Sequence, residues 1–147
     1  MVVAAGNANR PASGMSPANC KKVITVAAAG PTGARASYSN YGDDVDVTAP
    51  GGDITSLFTE GILSTSNFGA TTPGLEAYAF MQGTSMATPH VSGIAALLMS
   101  EKGSKYTPKM VEERLESTAR RLPVDCPEDC GHGLVDAAKA LDFGDDD

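Results

Sequence analysis

Apolar, β-branched runs alternate with glycine- and proline-rich breaks through the first half of the chain. Three of these runs predict buried strands, at residues 1–5, 21–29 and 45–48. Each is followed by residues that favour turns, as at Gly6-Asn7 after the first run. Two shorter runs, at residues 62–65 and 77–80, flank a connection rich in Gly and Thr and predict a β-hairpin.

The second half of the chain changes to helical periodicity. From Ser85 to about Met99, apolar residues lie all round the predicted helix, which is typical of a buried helix. Thr107 and Pro108 supply a capping hydroxyl and a proline at the first helical position. Apolar positions continue at helical spacing through Leu122, and a last short helix is predicted to open within residues 131–138. Strands followed by helices indicate an α/β fold with a parallel sheet.

Length, charge and composition narrow the range of functions. The 147 residues suffice for one domain with a core, and no repeat or linker divides them. The net charge of −7 argues against nucleic acid or an anionic membrane as a partner. The longest apolar run is too short to cross a bilayer. We expect the acidic tail, residues 143–147, to be disordered.

The three cysteines divide into a close pair and a single residue. Cys126 and Cys130 flank a turn-like spacer whose ends can meet in a disulfide. The pair could instead bind metal, although His132 alone does not complete a ligand set. We favour the disulfide, and with it a secreted or periplasmic location. Cys20 is then either a buried free thiol or paired with a cysteine outside this sequence.

Residues 83–98 contain the most informative motif. Gly83-Thr84-Ser85 places a serine between a glycine turn and a long apolar helix. A hydroxyl at a helix start lies where unpaired N–H groups favour an oxyanion, so Ser85 is a candidate nucleophile. The alternative is a helix N-cap. Asn7 follows a buried strand and is either an oxyanion donor or an Asx-turn residue.

Gly83 to His90 resembles the catalytic-serine signature of the subtilisin-like serine proteases, the subtilases. The segment Ala4-Ala5-Gly6-Asn7 is similar to the family's oxyanion segment, and Ser16-Pro17 stands where the family often has a cis peptide. The resemblance implies that Ser85 is the nucleophile, with Asn7 and the Ser85 N–H as oxyanion donors. It also implies that substrate contacts the residues around them, namely Ala4, Ala5, Gly6, Gly83 and Thr84.

The same resemblance predicts the architecture of the chain. It implies the later half of a subtilisin-like parallel sheet flanked by helices, with a buried central helix that starts at the nucleophile. Residues 36–42 and 45–51 resemble the family's next pair of strands. Residues 1–147 are then the C-terminal portion of a single subtilase catalytic domain.

The family's catalytic Asp and His motifs precede this region, and neither motif occurs in this sequence. We therefore expect a complementary N-terminal fragment of the same protease to supply both residues. The partner of Cys20 is expected in that fragment too. Alone, the chain is predicted to be inactive or nearly so.

Neither histidine of the chain makes a convincing general base. His90 lies about 140° round the helix from Ser85, at roughly 100° per residue, and is expected to be a packing residue. His132 lies in a glycine-flanked loop. Three aspartates follow Gly42, and they most simply solvate an edge, with calcium binding as the weaker alternative: Asp43, Asp44 and Asp46.

We predict that the chain is a portion of a serine endopeptidase. The enzyme would hydrolyse peptide or protein substrates through an acyl-enzyme on Ser85. The chemistry requires no cofactor, and a structural calcium ion would have no assigned site. One alternative is a catalytically inactive fragment with a binding or structural role. Another is an unrelated hydrolase whose base is His132, which requires His132 to lie within hydrogen-bond reach of Ser85.

Overall fold

A computed structural model describes residues 1–103 and 106–142. Its strands are β1 (Val2–Ala4), β2 (Ile24–Ala29), β3 (Val47–Pro50), β4 (Ile62–Asn67) and β5 (Glu76–Met81). Its helices are α1 (Thr84–Lys102), α2 (Pro108–Thr118) and α3 (Ala137–Ala140). Two 3₁₀ turns complete the regular structure, at Ala12–Gly14 and Phe58–Glu60.

The first three strands form a parallel sheet in the order β1-β2-β3. All six residues of the central strand β2 are buried, because both faces of the sheet are covered. This arrangement confirms the α/β fold with a parallel sheet. The third strand begins later than predicted, since the N–H of Val45 donates to Gly42 in a turn. Residues 36–42 form a turn and one isolated bridge, at Tyr41, rather than the expected strand.

The main core lies between the sheet and the helices. Helix α1 packs on all three strands with one face, formed by Ala87, Val91, Ile94 and Leu98. The prediction that α1 is buried all round was wrong for this chain. Leu97 is 54% exposed and Met99 is 52% exposed, because only one side of α1 contacts the sheet and its neighbouring helices.

The two later helices are shorter than their sequence patterns suggest. Helix α2 begins as predicted, where the side chain of Thr107 accepts a hydrogen bond from the N–H of Met110. It ends at Thr118, and Leu122 is buried outside the helix. Helix α3 begins only after Asp136, whose carboxylate caps it by accepting from the N–H of Lys139.

Strands β4 and β5 form the predicted antiparallel hairpin, separate from the parallel sheet. Ile62 pairs with Met81 at its base, and Asn67 pairs with Glu76 at its far end. Most of the hairpin is exposed, including the large apolar side chains of Phe68 and Tyr78.

The covalent features expected from the sequence are present. Cys126 and Cys130 form a disulfide with their Cα atoms 6.0 Å apart, which confirms the predicted pair. The Ser16–Pro17 peptide bond is cis. Cys20 is an exposed free thiol, so the alternative of a buried free thiol was wrong. The predicted disorder of residues 143–147 concerns positions outside the described residues.

Among the described residues, no helix has both the length and the apolar character needed to cross a lipid bilayer.

Neighbouring leucines of α1 provide a test of which face of the helix holds the fold together. Leu98 is fully buried, so Leu98→Ala should cost about 2–5 kcal/mol of unfolding free energy through lost contacts and a cavity. Leu97→Ala makes the same chemical change on the exposed face and should cost within about 0.5 kcal/mol. Urea unfolding followed by circular dichroism measures both. Equal losses in the two variants would contradict the described packing of α1.

Candidate active site

The carboxyl edge of the parallel sheet brings distant parts of the chain together. Asn7 follows β1 and Gly51 follows β3, so both lie at this edge. The N–H of Gly83 donates to the carbonyl of Gly51 at 3.0 Å, which anchors the start of α1 there. In open α/β sheets, this edge is where ligands bind.

Ser85 is the second residue of α1, and its side chain is exposed. The N-cap of the helix is Gly83, whose φ of +151° favours glycine over residues with a side chain. The alternative in which Ser85 is the N-cap was therefore wrong. Its hydroxyl makes no hydrogen bond within the described part of the chain.

The side chain of Asn7 is bound to the start of α1. Its Oδ1 accepts two hydrogen bonds from Thr84, one from the backbone N–H at 2.9 Å and one from Oγ1 at 2.8 Å. Thr84 Oγ1 also accepts from the N–H of Gly6 at 3.2 Å. Thr84 is 1% exposed whereas Asn7 is exposed, so these bonds are partly shielded from water, and together they fix the orientation of the Asn7 amide.

This arrangement leaves two hydrogen-bond donors without partners among the described residues: Asn7 Nδ2 and the backbone N–H of Ser85. The N–H groups of Gly83, Thr84 and Met86 are all bonded. A Cβ at Gly83 would lie 3.3 Å from Asn7 Nδ2 and 3.6 Å from the Ser85 nitrogen. The two free donors therefore flank one small space that exists because residue 83 is glycine.

A groove of about 500 Å³ runs beside Ser85. Residues of β1 and the first turns of α1 form its walls, among them Val2, Ala4, Thr88 and Pro89. Of the predicted substrate contacts, Ala4 thus lines the groove, whereas Ala5 is fully buried and packs in a small second core. Gly6 and Thr84 belong to the hydrogen bonds that hold Asn7, and Gly83 lies next to the two free donors.

Both histidines are placed away from the Ser85 hydroxyl. His90 is exposed, not packed as expected, and its Nδ1 bonds to the carbonyl of Met86 on its own helix. His132 Nδ1 bonds to the carbonyl of Asp46 at 3.2 Å. Since Asp46 precedes β3, His132 lies at the amino edge of the sheet, opposite Asn7. The alternative hydrolase with His132 as base was therefore wrong.

Three carboxylates gather at that amino edge. Oxygen atoms of Asp46, Glu112 and Glu116 lie within 4.8 Å of one another, and no other such group of three metal-ligand side chains occurs among the residues described. Asp43 and Asp44 do not join it. Oxygen ligands of this kind suit calcium, but His132 lies 4.0 Å from Glu116 and, when protonated, supplies a positive partner. A structural calcium ion stays an expectation without an assigned site.

The pKa values at this edge are raised. Burial raises the pKa of Asp46 to about 6, against the opposing hydrogen bond from Thr25, and the charges of Glu112 and Glu116 add to the rise. Burial also raises the pKa of Glu116. The cluster is thus a place where negative charge is disfavoured at neutral pH.

Sequence reasoning missed two supports of the site, the half-buried Tyr38 and the fully buried Asn40. Tyr38 donates its hydroxyl to the carbonyls of Gly51 and Gly52, and burial raises the pKa of this phenol to about 12, so it remains a donor. Asn40 is fully buried beside Gly6. Both residues belong to residues 36–42, which were expected to form a strand, and no pattern within that segment distinguished them.

Comparisons with known proteins find related chains. A sequence model described as the subtilase family matches residues 1–134. The extracellular protease of Xanthomonas campestris pv. campestris is 50% identical over 141 residues, which cover 96% of this chain and 23% of that protein. The extracellular basic protease of Dichelobacter nodosus is 40% identical over 144 residues, again 96% and 23% of the respective chains.

A solved structure shows the same fold. A protease from Pseudoalteromonas arctica superposes with a TM-score of 0.90 at 47% identity, over 96% of this chain and 41% of that one. The chain thus spans less than a quarter of the length of the two curated relatives and less than half of the solved structure.

The raised pKa of Asp46 predicts a pH-dependent stability difference. The folded-state pKa of about 6 exceeds the ordinary value of 3.8, so the unfolded chain loses this proton first and stability falls as pH rises from about 4 to 6. Asp46→Asn keeps an acceptor for Thr25 and removes that loss. The gain in melting temperature of Asp46→Asn over the parent chain should be roughly 2–4 °C larger at pH 7 than at pH 4. This corresponds to a stability difference of about 1 kcal/mol, since the carboxyl group is partly exposed.

Thermal unfolding at both pH values measures this difference, and Asp43→Asn is the matched control because Asp43 is exposed and outside the cluster. A pH-independent effect of Asp46→Asn would contradict the interpretation.

Proposed function

Because the chain belongs to the subtilase family, we propose that it carries the nucleophile and the oxyanion donors of a serine endopeptidase. The observation that carries this proposal is the pair of free N–H groups beside Ser85. Thr84 occupies the oxygen of the Asn7 amide, so the amide presents its Nδ2 towards the same space as the Ser85 N–H. Two fixed donors of this kind stabilise an anion that develops next to a serine hydroxyl.

The proposed reaction follows from this placement. Ser85 Oγ attacks the carbonyl carbon of a peptide bond and gives up its proton to a histidine base. The carbonyl oxygen becomes an oxyanion that accepts hydrogen bonds from Asn7 Nδ2 and the Ser85 N–H. Collapse of the tetrahedral intermediate breaks the C–N bond, and the leaving amine takes the proton from the histidine. Water then hydrolyses the acyl-enzyme by the reverse sequence of proton transfers.

We propose that the histidine base and the aspartate that orients it come from polypeptide outside this sequence. The positions of His90 and His132 support this, since one bonds its own helix and the other lies at the opposite edge of the sheet. The exposed apolar side chains of Leu97 and Met99 on α1 also favour a further segment packed there. A complementary N-terminal fragment would thus complete both the catalytic unit and the core.

The substrates of this proposed enzyme are peptides or proteins, which would lie along the groove beside Ser85. Ala4 is small and half-buried, so its side of the groove leaves room for a substrate side chain. The chemistry uses protein groups alone and needs no cofactor. A secreted or periplasmic location is supported by the disulfide and by relatives named as extracellular proteases.

Replacement of the aligned 141 residues in the Xanthomonas campestris protease with this chain tests the proposal. The chimera should hydrolyse a peptidyl p-nitroanilide and react with a fluorophosphonate at residue 85. Ser85→Ala in the chimera should lose at least about 10⁴-fold in kcat, because the nucleophile is gone. The chain alone should label far more slowly than the chimera, since it lacks the base.

Two results would contradict the proposal. Full-rate labelling of the isolated chain would show that the base is within it. A folded chimera without peptidase activity or labelling would instead favour an inactive chain with a binding or structural role.

Asn7→Asp in the same chimera tests the oxyanion donor separately. The carboxylate still accepts from Thr84, but it cannot donate as Nδ2 does. We expect kcat to fall by at least about 10²–10³-fold, a range established on subtilisin, a member of the same family, with KM little changed. Steady-state kinetics with the p-nitroanilide measure both constants. A change confined to KM would show that Asn7 binds the ground state only.

A further inference from the structure

Asn40 is a fully buried amide that binds the loop following β1 on both sides of Asn7. Its Nδ2 donates to the carbonyl of Ala5 at 2.8 Å. Its Oδ1 accepts from the N–H of Ala8 at 2.9 Å and from the N–H of Arg10 at 3.3 Å. The side chain thus bonds backbone groups both before and after Asn7.

The backbone around Asn40 adds to this attachment. Its own N–H donates to the carbonyl of Gly6 at 2.9 Å. Gly6 has a φ of +107°, and a Cβ at that position would overlap Asn40 Nδ2, so the approach requires glycine. The loop therefore lies directly on the Asn40 side chain without intervening water.

A single amide suits this position because of its chemistry. Asparagine offers a donor on one atom and two lone pairs on the other, which match one carbonyl and two N–H groups of the loop. A carboxylate could accept twice but could not donate, and it would bring a charge into a buried site. An alanine would leave the buried carbonyl of Ala5 and the part-buried N–H groups of Ala8 and Arg10 without this partner.

We propose that Asn40 is a positioning residue for catalysis, which sets the place of Asn7 Nδ2 relative to Ser85. This inference rests on the proposed function, because it assigns to Asn40 control over the oxyanion donor named there. Thr84 holds the Asn7 side chain from the helix, and Asn40 bonds the backbone before and after Asn7. Displacement of the loop would move the donor without removing it.

The test uses the active chimera, with kcat expressed per active site after fluorophosphonate labelling to completion. Asn40→Ser should lower kcat by about 10–100-fold, the cost of a misplaced catalytic group, with KM within about twofold. In the Asn7→Ala background, where no donor remains to be displaced, Asn40→Ser should lower kcat by less than about twofold.

Thr48→Val provides the matched control. Thr48 is also fully buried, and its Oγ1 donates to the carbonyl of Cys130 at 2.8 Å, at the far edge of the sheet. This variant should lose stability, as Asn40→Ser does, but its kcat per active site should stay within about twofold of the unsubstituted chimera. Asn40→Asp enters the same cycle if Asn40→Ser yields no folded protein.

The outcomes separate this inference from the proposed function. If Asn7→Ala leaves kcat unchanged, the oxyanion role of Asn7 is wrong, and the positioning role falls with it. If Asn7 matters but Asn40→Ser lowers kcat equally in both backgrounds, only the positioning role is wrong. An equal loss in Thr48→Val, or no folded protein from either Asn40 variant, would show that Asn40 serves the fold alone.

Discussion

The hydrogen bonds from Thr84 to the side chain of Asn7 join parts of the chain that lie 77 residues apart. One partner follows the first strand of the sheet, and the other begins the longest helix. For these groups to meet, the strands must be parallel and ordered, and α1 must return to the edge where β1 ends. The arrangement of hydrogen-bond donors near Ser85 thus depends on the topology of the sheet as well as on the local sequence.

The two edges of the sheet differ in how their surroundings affect a negative charge. At the carboxyl edge, the bonds between Asn7 and Thr84 leave two donors free among the described residues, Asn7 Nδ2 and the N–H of Ser85. Donors of this kind suit a developing anion. At the amino edge, Asp46 and Glu116 are partly buried beside other carboxylates, which disfavours negative charge. The disulfide loop packs at the amino edge, where the carbonyl of Cys130 accepts a hydrogen bond from Thr48 Oγ1. Its role in the described structure is structural.

Much of the fold could be predicted from the sequence, because its strands and helices follow strong apolar patterns. The central strand, the hairpin, the disulfide and the cap at Thr107 were all visible as local signals. The burial of α1 was overestimated because periodicity describes the helix and not its neighbours. Leu97 and Leu98 look alike in sequence, yet one is exposed and the other fully buried.

The candidate site was predictable only in part. Ser85 and Asn7 stood out because a glycine turn, a helix start and a strand end mark them. The roles of Tyr38 and Asn40 depend on contacts with backbone groups that are remote in sequence. No pattern of residue types encodes such contacts. The secondary-structure prediction for residues 36–42 failed for the same reason, since this segment is ordered by the loop it supports and not by a strand partner.

Ser85 itself contributes few bonds to the structure around it. Its N–H and hydroxyl have no partners among the described residues, and Pro89, four residues later, has no N–H to donate to its carbonyl. Thr84 and Met86 hold the backbone on either side. Replacement of the Ser85 side chain by another small one would therefore remove no hydrogen bond from the described structure. The fold around residue 85 is thus independent of the identity of that side chain.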